Sequence, residues 1–61
     1  MSFIVIPYNT DQEEFINILS ENKEIKELYC IGCTYLTEIP IIKGLEVLNC
    51  NGCSNLIKIS I

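Results

Sequence analysis

Four cysteines stand in two pairs, Cys30-x-x-Cys33 and Cys50-x-x-Cys53, with sixteen residues between the pairs. Thiolates at this spacing are the ligands of a structural zinc site, in which two C-x-x-C turns complete one tetrahedron. Zinc would also stabilise so short a chain, because metal binding then adds directly to folding. No other residues offer comparable chemistry. The chain has no histidine, so neither a Cys–His dyad nor a Ser–His–Asp triad can be built. We expect no enzyme activity and no cofactor. Gly32 and Gly52 are too isolated for a phosphate loop and read as turns needing unusual torsions. The acidic cluster Asp11, Glu13 and Glu14 reads as a solvated helix start, not a cation site.

The residues around the cysteines favour a second explanation. Residues 25–44 and 45–61 match at a step of 20: Ile25 falls on Leu45, Leu28 on Leu48, Cys30 on Cys50, Gly32 on Gly52, Cys33 on Cys53, Leu36 on Leu56 and Ile39 on Ile59. A zinc ribbon constrains only its knuckles and leaves the aliphatic matches unexplained. A stack of equal turns explains aliphatic residues and cysteines with one rule. The cysteines are therefore expected to be small buried hydrophobes, reduced and metal-free. A small four-cysteine zinc-binding module with Cys30, Cys33, Cys50 and Cys53 as ligands is the alternative. Neighbouring parallel strands about 4.8 Å apart would set Cys30 beside Cys50 and Cys33 beside Cys53, which leaves disulfide formation as a third reading.

The elements that position these residues follow from periodicity. Phe3-Ile4-Val5-Ile6, stopped by Pro7, has the profile of a buried strand. Thr10 stands three residues before Glu13, a capping-box spacing. Phe15, Ile16, Ile18 and Leu19 then recur at helical spacing, which predicts a helix over 11–21. Its residues Phe15, Ile16 and Leu19 are expected to cover Leu28 and Leu36. Residues 26–30 and 46–50 alternate inward and outward, as half-buried strands do. Pro40 and Gly44 argue against a helix between them. Three parallel strands, near 3–6, 26–30 and 46–50, are expected in one narrow sheet.

The stretch Ile25-x-x-Leu28-x-Cys30-x-x-Cys33-x-x-Leu36-Thr37-Glu38-Ile39 resembles the cysteine-containing variant of leucine-rich repeats, and Leu45-x-x-Leu48-x-Cys50-x-x-Cys53-x-x-Leu56-x-x-Ile59 repeats the frame. The resemblance implies an α/β fold: a short leucine-rich-repeat solenoid of about three parallel strands. Residues 1–24 would be an N-terminal βα cap, 25–44 the first repeat and 45–61 the second, in one domain. It implies that framed residues point inward. It also implies that Cys33 and Cys53 occupy the place of an asparagine that ties each turn to its neighbour.

Composition narrows the function classes. The chain has 61 residues and a formal charge of −4, with six carboxylates against two lysines in residues 1–27 and an even balance beyond. There is no basic patch for a phosphate backbone, so we expect no nucleic-acid partner. No apolar run reaches the roughly 18 residues a membrane span needs, and the first residues lack the charged start of a secretory signal. Unpaired cysteines fit an intracellular, cytoplasmic-type reducing environment. Two surfaces remain for a protein partner. The outward strand positions Glu27, Tyr29, Ile31, Val47, Asn49 and Asn51 form a candidate binding surface. Leu45, Leu48, Leu56 and Ile59 form a last layer with nothing polar after it, so the edge from Val47 to Ile61 is expected to pack on another copy or a larger assembly. The expected role is a non-catalytic protein–protein interaction or structural assembly module.

Overall fold

A computed structural model describes residues 2–60. Six elements follow one another: β1 (Phe3–Val5), α1 (Gln12–Ser20), β2 (Glu27–Tyr29), β3 (Glu38–Ile39), β4 (Val47–Asn49) and β5 (Lys58–Ile59). The fold is α/β, with two short parallel sheets and one helix. The first sheet has the order β1-β2-β4. Its register sets Ile4 beside Leu28 and Leu28 beside Leu48. The second sheet pairs β3 with β5, so that Ile39 faces Ile59. This second sheet was not expected. Two-residue strands are too short to show a period-2 pattern in sequence.

The 20-residue step governs the backbone as well as the side chains. The Cys33 N–H donates to the Cys30 carbonyl at 3.3 Å, and the Cys53 N–H to the Cys50 carbonyl at 3.2 Å. The Leu36 N–H donates to the Cys33 carbonyl at 3.3 Å, and the Leu56 N–H to the Cys53 carbonyl at 3.2 Å. Gly32 and Gly52 take φ of 73° and 79°, a left-handed conformation open to glycine at little steric cost. At Gly52 a Cβ would stand 3.3 Å from the Gly32 backbone, so the second turn lies directly on the first.

Three local expectations are corrected. Asp11, not Thr10, caps α1. Its carboxylate accepts the Glu14 N–H at 2.8 Å from an extended backbone. The helix starts one residue later than the Thr10–Glu13 spacing implies, and Thr10 is buried. Ile16 lies 40% exposed, off the covering face. A period of 3.6 puts Gln12, Phe15 and Leu19 on one stripe and turns Ile16 about 100° away. Finally, β1 is not buried on both sides. Ile6 is buried but Val5 is 62% exposed, because only one face of the pleat meets the core.

The core gathers Phe15 and Leu19 of the helix with Leu28, Leu36 and Ile39 of the strands and turns, and with Cys30 and Cys33. The remaining link between helix and turns is polar. The Gln12 Oε1 accepts the N–H groups of Thr37 (2.9 Å) and Glu38 (3.2 Å), while its Nε2 donates to the Glu38 carbonyl at 3.0 Å. One amide side chain thus satisfies the edge of β3 that faces away from β5, as a neighbouring strand would.

Candidate functional site

Three of the four thiols, Cys30, Cys33 and Cys53, are held as hydrogen-bond donors. Cys33 Sγ lies 3.6 Å from the Ile6 carbonyl and 3.5 Å from that of Pro7. Cys53 Sγ lies 2.8 Å from the Cys30 carbonyl, and Cys30 Sγ lies 3.6 Å from that of Asn49. Cys33 and Cys53 thus bond the turn before their own, one step apart. All four cysteines are free; Cys30, Cys33 and Cys53 are buried, while Cys50 is half-buried. The expectation of four buried cysteines therefore fails at Cys50, which follows β4, the edge strand of its sheet among the described residues. Burial, then the neighbouring Cys53, Cys33 and Cys50 sulfurs, push the Cys30 thiol up to about 12. Burial first, and Cys53 second, also raise Cys33. Cys30, Cys33 and Cys53 are turned toward backbone carbonyls, whereas a tetrahedral site needs all four sulfurs turned to one centre. Among the described residues no group of three or more cysteine, aspartate or glutamate side chains is placed to hold a metal ion.

The open strand face carries the six outward positions. Register pairs Glu27 with Val47 and Tyr29 with Asn49. The Gly32 N–H bonds the Asn51 carbonyl at 2.7 Å, which sets the ends of the two strands together. Glu27, Tyr29 and Asn49 are half-buried, and Ile31, Val47 and Asn51 are exposed. Two residues missed by the sequence reading belong here: Phe3 stands opposite Glu27, and Val5 opposite Tyr29. Their alternation with Ile4 and Ile6 is the signal that could have found them. The Phe3 and Tyr29 rings meet edge to face, 6.5 Å apart. Tyr29 donates its hydroxyl to Glu27 Oε1 at 2.6 Å. That bond, ahead of burial and the Glu27 charge, raises the phenol above its ordinary range. The face is an aromatic and aliphatic patch held by a tyrosine–glutamate bond.

The last layer is less buried than the one before it at every framed position except Cys53, which is buried like Cys33. Ile25, Leu28, Cys30 and Leu36 are buried, whereas Leu45, Leu48, Cys50 and Leu56 are half-buried. At the far rung Ile39 is 0% exposed and Ile59 45%. The edge of β4 away from β2 has no partner strand among the described residues. Ile61, the end of the expected packing edge, lies outside the described residues. No helix among the described residues is long and apolar enough to cross a membrane. No protein-family model, curated protein or solved structure matches this chain.

Proposed function

We propose that this chain is a non-catalytic protein–protein interaction and structural assembly module, a short solenoid of leucine-rich-repeat type. Residues 1–24 cap one end of the core, residues 25–44 and 45–61 are its two turns, and the last turn is the docking end. The observation that carries this reading is the fall in burial between framed partners, from 0% exposure at Ile39 to 45% at Ile59. A repeat unit buries its apolar side against the next unit, and an uncovered end invites association. The strand face, with Tyr29 and its exposed aliphatic neighbours, is the second contact, since aromatic residues anchor interfaces. Four free thiols support a reducing compartment.

In isolation the available cover for the last layer is another copy of the chain. A standard interface takes about 800 Å² per partner, which is roughly one fifth of the 4171 Å² surface of this protein. Sedimentation velocity over a rising concentration series tests the reading. Copies are expected to associate, and Ile59→Glu, at an exposed rung, is expected to restore the monomer without unfolding it. A chain that stays monomeric at every concentration defeats the assembly reading.

A further inference from the structure

A groove of about 380 Å³ runs between α1 and residues 40–43, with Ile42 shared between it and a hollow lined by Leu45, Val47 and Leu48 of the last layer. Its lining includes Ile16 and Ile41, which are 40% and 76% exposed, above the more buried Leu19 and Ile42. Isoleucines so exposed on facing elements form an apolar cleft that nothing among the described residues fills. The charged groups in the lining are Lys23 and Lys43, and no carboxylate contributes to it. Glu21 and Glu24 line a neighbouring hollow that shares Ser20 and Lys23 with the groove. Two of the four lysines of a chain carrying eight carboxylates therefore line this one apolar cleft.

We propose that this groove docks an acidic amphipathic helix of a partner protein. Apolar side chains of the helix seat between Ile16 and Ile41, and its flanking carboxylates meet Lys23 and Lys43. Helix-in-groove recognition uses apolar anchors at i, i+3, i+4 and i+7, and flanking charge sets the choice of partner. A small amphiphile fits less well, because small-molecule sites enclose most of the ligand, whereas the Ile41 wall stands largely in solvent.

The test uses the intact chain and two fluorescein-labelled peptides of about 14 residues, both with leucine at the anchor positions. One carries glutamate and glutamine elsewhere, the other lysine and glutamine. Fluorescence anisotropy is expected to show the acidic peptide binding about tenfold tighter at low salt, with the preference shrinking as salt is raised. Amide NMR shifts are expected at Ile16, Leu19, Ile41 and Ile42 and not at Leu48 or Leu56. Lys23→Glu combined with Lys43→Glu is expected to reverse the preference. If that variant does not fold, Lys43→Ala serves, with a loss of about threefold for the acidic peptide. Equal binding of the two peptides, binding of neither, shifts confined to the last layer, or groove shifts caused by dodecanoate but by neither peptide would each overturn the proposal.

Discussion

Ile39 and Ile59 are the same residue on the same rung of one two-stranded sheet, so replacing each in turn isolates the effect of burial. Ile→Val removes one methyl group. At Ile39, with 0% exposure, the loss of transfer energy and the small cavity cost about 1 kcal/mol. At Ile59, 45% exposed, water fills the gap and about 0.4 kcal/mol is lost. A domain of 61 residues has total stability of only about 3–9 kcal/mol, so both variants should fold. About 4–8 °C of Tm accompanies each kcal/mol at this size. Ile39→Val is therefore expected to lower Tm by about 4–8 °C and Ile59→Val by about 2–3 °C, measured by circular dichroism at low protein concentration. The sharper part of the prediction is concentration. If the last layer docks on another copy, Ile59 becomes buried, and its variant should approach the cost of Ile39→Val as concentration rises. Equal losses for both variants in dilute monomer would refute the reasoning, since burial would then not set the cost.

The remaining expectations concern single groups. Cys30 and Cys33 have thiol pKa values raised in the folded state. The unfolded chain then binds fewer protons above the ordinary thiol range, so the stability these thiols contribute is fully present below about pH 8.5 and falls as pH rises, for Cys30 up to about 12. Urea titrations under reducing conditions should show a slope of up to about 1.4 kcal/mol per pH unit for each thiol, and Cys30→Ala should flatten it. Iodoacetamide should modify Cys50 well before Cys30 or Cys33; mass spectrometry showing the reverse order contradicts the burial pattern. Gln12→Ala should cost about 1–2 kcal/mol by leaving the Thr37 and Glu38 amides and the Glu38 carbonyl without their partner. Urea midpoints unchanged by that substitution would show the amide link is not structural. Gly52→Ala should destabilise more than Gly32→Ala, because both have positive φ but only at Gly52 does the new Cβ press on backbone. Each left-handed alanine costs about 1–2 kcal/mol, so the difference between the two variants measures the contact.

Much of the architecture was legible because it is written twice. The step of 20 fixed which residues share a layer, and the register of β2 against β4 follows it residue for residue. The inward and outward positions of those strands were legible too, since a pleat alternates with period 2. The helix was legible from the spacing of Phe15 and Leu19, but its start was not. Thr10 and Asp11 are both good caps, and the choice depends on whether Thr10 is drawn into the core, which no local pattern records. The zinc spacing of the cysteines was equally plain in sequence, yet spacing does not carry the direction of a thiol or the carbonyl it meets.

What the sequence determined by itself is the repeat: equal residues at equal steps demand equal environments, so the two turns carry the same backbone bonds and the same left-handed glycines. What only the tertiary structure decided is where equality ends. Leu28 and Leu48, or Ile39 and Ile59, are interchangeable in the pattern and unequal in space, because β2 lies between β1 and β4 and β3 between α1 and β5, whereas β4 and β5 each have a neighbour strand on one side alone among the described residues. The groove beside α1 is of the same kind. Ile16 and Lys23 are 25 and 20 residues from Ile41 and Lys43 in the chain, and only the folding of the helix against the turns makes one surface of them.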